Sequence, residues 1–129
     1  MSLSLRVYYA DTDCGGVVYY ANYLKYLEAG RMEFMRERGI DLSEWHKNNV
    51  VFVVVETNIK YRASARLDDL LTIETNLTEK SSVTFVFTAE IRNQHGVLLV
   101  SSQTKLACLG ENGKMRRVPE ELIEAIAQN

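Results

Sequence analysis

Residues 19–34 are apolar on nearly every side when wound as an α-helix. Tyr20, Tyr23, Leu24, Leu27, Gly30 and Phe34 form one stripe at helical spacing, while Tyr19, Tyr26, Ala29 and Met32 add apolar surface around it. A helix of that kind has to be covered on more than one side, so the rest of the chain is read as its cover. Charge arrives late, in Lys25, Glu28, Arg31, Glu33, Arg36, Glu37 and Arg38, with the cations biased toward the C-terminal end, where the helix dipole favours them. Gly39 supplies the stop.

Most of the chain beyond Gly39 is strand-forming. Residues 40–49 are a polar connection with room for a short helical turn capped by Asp41 or Ser43 and anchored by Trp45. Residues 50–61 are a β-branched strand with Val51, Val53, Val55, Thr57, Ile59 and Tyr61 expected on one face. Its first half is apolar on both faces, which suits the middle of a sheet or an interface. Beyond a charged connection at 62–69, the alternating runs 70–79, 83–92 and 97–109 read as an antiparallel meander with turns at 79–82 and 93–96. Val83, Phe85, Phe87, Ala89 and Ile91 line one face of the second run; Leu98, Val100, Leu106 and Cys108 line one face of the third, interrupted by Ser102 and Thr104. A turn at 110–113 and Pro119 at a first helical position predict an amphipathic tail helix through Gln128. At the other end, residues 5–9 predict a short first strand, and Met1-Ser2-Leu3 reads as extraneous to it.

The expected fold is therefore α+β, an antiparallel sheet curved around one long helix. One sheet has one concave face. The remaining apolar surface of the helix and of Val51 to Val55 calls for a second subunit, so a homodimer or homotetramer is expected.

Composition removes several function classes. At 129 residues the chain suits one core rather than two, and 1–129 is read as a single domain. No apolar run approaches the roughly eighteen residues of a membrane span. The N-terminus carries no apolar stretch of the signal-peptide kind, so a cytoplasmic protein is expected. A formal net charge of −2 argues against a nucleic-acid partner. Cys14 and Cys108 stand far apart without CxxC spacing, which suggests neither a disulfide framework nor a zinc site.

Between the first strand and the helix lies a tight loop with two carboxylates, Asp11 and Asp13, and the pair Gly15-Gly16, where glycine lets a ligand approach the main chain closely. The motif YYADTDCGGVVYYANYLKYLEAGR, read with the later YRASARLDDLLTIET, resembles the hotdog-fold acyl-CoA thioesterases of the 4-hydroxybenzoyl-CoA thioesterase family, most closely their YbgC-like branch. The resemblance covers nearly the whole chain. It implies a hotdog fold, a site at a subunit interface, Asp13 as the catalytic carboxylate, and the backbone N–H at Tyr20 as the group that polarises the thioester carbonyl. Two departures stand out: Tyr20 occupies a position commonly His in that branch, so an imidazole role there is lost while a backbone donor survives. Gly30 replaces the usual Ala, a swap that costs a helix interior about 1 kcal/mol unless close packing requires it.

The chemistry implied is simple. Asp13 can attack the acyl carbon or take a proton from water, and the first helical turn offers unpaired N–H groups and a positive dipole end. Neither a metal nor a cofactor is needed, coenzyme A being part of the substrate. Gly16, Val17, Tyr19 and Tyr23 are the expected substrate-binding residues near the loop, with Tyr26 a further pocket candidate. Arg62 and Arg66, among the cations Lys60, Lys114, Arg116 and Arg117, are candidates for the phosphates. Against this, Asp13 could merely make an Asx-turn. Asp11 is expected to hold the loop, Asn22 to cap the helix or place a water, and Cys14 to be a packed thiol, since His46 and His95 lie in polar connections far along the chain. A non-catalytic acyl-CoA or acyl-carrier-protein binder of the same fold is the alternative. A dehydratase ranks behind both for want of a histidine in the loop.

Overall fold

Gly30 is where the helix meets the sheet. A Cβ there would stand 2.5 Å from Thr75 Oγ1 and 2.9 Å from Ile73 Cγ2, so only glycine allows this approach. The structure, a computed structural model, describes residues 1–127; the predicted helix end at Gln128 lies outside them. The long helix α1 (Asn22–Glu37) lies across an antiparallel five-stranded sheet. Its strands are β1 (Ser2–Arg6), β2 (Val51–Tyr61), β3 (Leu70–Lys80), β4 (Thr84–Arg92) and β5 (Leu98–Leu109), in the order β1-β3-β4-β5-β2. A short helix α2 (Leu42–Lys47) precedes β2, and α3 (Glu120–Ala127) ends the described chain. The expected meander is β3-β4-β5.

The core divides along α1. Tyr23, Tyr26 and Leu27 pack with Val7, Leu71, Ile73, Ile91 and Val100, while Phe34 and Met35 pack with Phe85, Phe87, Cys108, Leu122 and Ile126. Side chains that far inside typically contribute about 1.5 to 3 kcal/mol each. The buried stripe is rotated from the expected one: Tyr23, Tyr26, Leu27, Gly30, Phe34 and Met35 are covered, whereas Tyr20 and Leu24 are 62% and 47% exposed. The sheet covers one side of α1, and the flank of Tyr20 and Leu24 is left open.

Local signals behave as their chemistry requires. Asp41 caps α2 by accepting from the N–H groups of Ser43 and Glu44, and Trp45 packs against the second core cluster. Gly39 and Gly96 stop α1 and turn β4 into β5 with φ of +76° and +77°. Pro119 directly precedes α3, and its carbonyl accepts the first bonds of that helix, which begins at Glu120, one position later than the sequence suggests.

Three expectations are corrected. Ser2 begins β1 and pairs with Glu74, and Met1 O accepts from Thr75 N–H, so the first residues belong to the sheet; the strand ends at Arg6, and Tyr9–Asp11 is a 3₁₀ turn. The helix begins at Asn22, because Tyr19 and Tyr20 form a lead-in turn through Tyr19 O and Tyr20 O. In β2 the pairing slips between Val54 and Glu56. Such a bulge exchanges the faces of a strand. Phe52 and Val54 therefore share the core face with Thr57, Ile59 and Tyr61, opposite Cys108, Leu106, Thr104, Ser102 and Val100, instead of Val51, Val53 and Val55.

Replacing Gly30 by Ala forces Thr75 and Ile73 aside. The expected outcome is a loss of about 1 to 3 kcal/mol, read as a lower urea midpoint with an unchanged slope.

Candidate active site

The loop before α1 is held from both sides. Thr12 bridges Val18 and Val17 bridges Arg66 in short antiparallel contacts. Val18 N–H donates to Ala65 O at 2.9 Å, and Leu67 N–H to Gly16 O at 3.3 Å. The segment after β2 is thus a second wall for the loop, which is why the two sequence motifs belong to one place. Gly16, at φ +79°, takes a backbone shape that favours glycine.

Asp11 is the knot of this arrangement. Its carbonyl accepts from Tyr19 N–H at 3.0 Å and from the Asn22 side-chain amide at 2.8 Å, tying the loop to the start of α1. Its carboxylate accepts from Tyr8 N–H at 3.0 Å and from Lys25 Nζ at 2.6 Å, and it is 5% exposed. Burial alone raises the Asp11 pKa, but the Lys25 hydrogen bond, the Tyr8 N–H and the Lys25 charge together outweigh it and hold the carboxyl below the usual range. Tyr26 lies beside this group with a buried hydroxyl that lacks a hydrogen-bond partner among the described residues, and burial followed by the Asp11 charge pushes its pKa up. Asn22 is a tether here and makes no cap.

Asp13 is exposed, and its Oδ1 accepts from Gly15 N–H at 2.8 Å. That is an Asx-turn, so the bland reading of this carboxylate is correct as far as it goes. The turn engages one oxygen and holds the side chain in one orientation. Asp13 N–H donates to Val17 O at 2.9 Å and Gly16 N–H to Asp13 O at 3.2 Å, closing the loop upon itself. A few residues on, Tyr20 N–H and Ala21 N–H have no acceptor among the described residues. They precede the first turn of α1, where the dipole is positive.

Around these donors stand tyrosines. The Tyr20 ring meets Tyr61 edge-on at 6.3 Å and Tyr19 at 4.9 Å. Tyr23, 3% exposed, packs 5.5 Å from Tyr61 and accepts from Ala65 N–H at 3.0 Å, so it is the floor of the group. Arg66 is exposed at the loop wall, and among the described residues no carboxylate lies within ion-pair distance of it; its backbone N–H, and not its guanidinium, meets Asp69. Arg62 rests on Ser101 Oγ at 3.2 Å. Lys114, Arg116 and Arg117 follow the far end of β5, where Leu109 bridges Met115, at the opposite end of the sheet from the loop. Cys14 is exposed, not packed. Among the described residues no group of His, Cys, Asp and Glu is placed to hold a metal ion, and no helix is long and apolar enough to cross a membrane.

The site is open on one side. A cavity of about 410 Å³ lies further along α1, lined by Met32, Met35, Phe52, Val54 and Phe85, and one of about 400 Å³ lies beside Asp11 and Tyr26; neither reaches Asp13. Sequence reasoning missed Tyr61 as a member of the site. The available signal was its place directly before RASAR, on the alternating face that ends the strand.

A family model described as Thioesterase superfamily matches residues 15–100. The acyl-CoA thioester hydrolase YbgC of Escherichia coli is 36% identical over 125 residues, 96% of this chain and 93% of that protein. The acyl-CoA thioesterase YbgC of Haemophilus influenzae is 40% identical over 125 residues, 94% and 90% respectively. The crystal structure of a probable thioesterase from Bartonella henselae superposes with a TM-score of 0.88 at 35% identity, covering 92% of this chain and 98% of that one. The chain belongs to the thioesterase superfamily, and its sheet curved over one helix is the hotdog fold that the motif led us to expect.

The Asp11–Lys25 pair has a pH signature. A carboxyl whose pKa is lowered on folding adds stability that is full above its unfolded value, near 3.9, and is lost as pH falls through the lower folded value. Asp11→Asn is therefore expected to cost about 1.5 to 3 kcal/mol at neutral pH. Urea unfolding from pH 6 to pH 3 should show the gap to wild type closing as pH drops below about 4.

Proposed function

We propose that this protein hydrolyses the thioester of acyl-CoA to the free acid and CoA, with Asp13 as nucleophile or general base and the Tyr20 N–H polarising the carbonyl. The observation that carries it is the pairing in one short segment of a fixed, exposed carboxylate with N–H groups lacking acceptors at the positive end of α1. The names of the YbgC relatives support the substrate class. An incoming thioester oxygen would accept from Tyr20 N–H while its carbonyl carbon faced Asp13; charge that develops on that oxygen is then met by a donor already in place. The thiolate of CoA leaves, and water completes the hydrolysis either directly or by opening an acyl-aspartate. No metal or cofactor enters this scheme. Arg62 and Arg66, flanking the wall of the loop, would meet the CoA phosphates, and the cytoplasm is the compartment the reading implies.

The missing side of the site points to a second copy of the chain. β2 is an edge strand whose Val53, Val54 and Val55 are 36%, 49% and 55% exposed. A long apolar edge is a template for pairing, and Tyr61, at the end of the same strand, would place the loop beside the junction.

Thiol release from a panel of acyl-CoAs tests the reading. Asp13→Asn should lower kcat by about 10² to 10⁴, and full activity in that variant would remove Asp13 from the mechanism. Light scattering coupled to size-exclusion chromatography should return a dimer or tetramer; a monomer at micromolar concentration contradicts the shared site.

A further inference from the structure

Tyr61 enters the site through a chain of contacts that has no other evident use. The bulge in β2 between Val54 and Glu56 sets the parity that turns Tyr61 to the core face, opposite Val100. There its ring rests 5.5 Å from that of Tyr23, which is buried and fixed in turn by Ala65 N–H. Tyr20 closes the other side edge-on. The ring is held on two sides, yet Tyr61 as a whole is 49% exposed.

Its hydroxyl ends at the backbone of Tyr20, donating to Tyr20 O at 3.5 Å. That is the outer limit of a hydrogen bond, well beyond the roughly 2.7 Å preferred for O–H···O. With the ring fixed, the hydroxyl proton can rotate about the C–O bond and leave so long a bond for a nearer acceptor at little cost. The carbonyl it touches belongs to the residue whose own N–H lacks an acceptor.

We propose that Tyr61 is a catalytic residue, its hydroxyl being a second donor to the thioester oxygen beside the Tyr20 N–H. This deepens the thioesterase reading of the same site and rests on it. As Asp13 or its water attacks the acyl carbon, the carbonyl π pair moves to oxygen, and Tyr61 exchanges its long bond to Tyr20 O for a short one to that oxygen. The phenol keeps its proton throughout. The donor is preorganised by Tyr20 and Tyr23, so little ordering remains at the moment of reaction.

Tyr61→Phe keeps the ring and removes only the hydroxyl. In thiol-release assays kcat should fall on the order of 10²-fold, with KM changed less than about twofold, since such a bond strengthens only as charge develops. A non-hydrolysable analogue with CH₂ in place of the thioester sulfur supplies a readout that a packing role would not move. Its bound carbonyl stretch should lie at lower frequency in wild type than in Tyr61→Phe, at equal thermal midpoints. Retention of kcat within twofold, or an identical carbonyl frequency in the two proteins, overturns the assignment. Absence of thiol release from wild type would instead sink the thioesterase reading, and the analogue spectra would still decide whether Tyr61 touches the carbonyl.

Discussion

The close seat of α1 on β3 at Gly30 is the contact on which the remainder depends. A helix that sits this deep brings Tyr23, Tyr26 and Leu27 into one half of the core and Phe34 and Met35 into the other. It also fixes the height at which its first turn emerges from the sheet. With Ala in place of Gly30 the helix would have to rise or Thr75 and Ile73 would have to give way. The Thr75 hydroxyl beneath it is buried and has no hydrogen-bond partner among the described residues.

The loop inherits its shape from that seat. Asp11 links the two through one carbonyl and one carboxylate, so the start of α1, Lys25 and Tyr8 are joined in a single knot. Asp13 then needs only a short turn of its own to be held in a definite orientation. The difference between the two carboxylates comes from environment: the buried one is paired with Lys25 and holds structure, while the exposed one accepts only from Gly15 N–H through Oδ1. The bulge in β2 completes the arrangement from the opposite side, since without that one extra residue the two halves of the strand would keep one parity and could not both face the core.

Much of this was legible in the residues themselves. The apolar helix, the β3-β4-β5 meander, the glycine stop at Gly39 and the Asp41 cap come from local chemistry, which acts over a few neighbours and leaves a periodic trace. The loop motif identified the family. Less visible were the bulge after Val54, the 3₁₀ turn at Tyr9–Asp11 and the lead-in turn before Asn22, because each is imposed by what the segment must reach in space. Tyr26 and Met35 were covered in place of Tyr20 and Leu24 for the same reason: periodicity defines a stripe only to within a residue or so, and the sheet chooses which edge of it to bury.

By itself the sequence determined the kinds of element, their order, and the presence of a carboxylate beside a flexible turn and a helix start. Only the tertiary structure decided that Asp11 would be buried against Lys25 and Asp13 left exposed, that residues 62–69 would wall the loop, and that Tyr61 would stand against Tyr20. Those outcomes join Asp11 with Lys25, Val17 with Arg66 and Tyr20 with Tyr61, and no local propensity acts over such separations. They are set by the folded chain, where strand parity, the depth of α1 and the accounting of backbone hydrogen bonds must all be satisfied together.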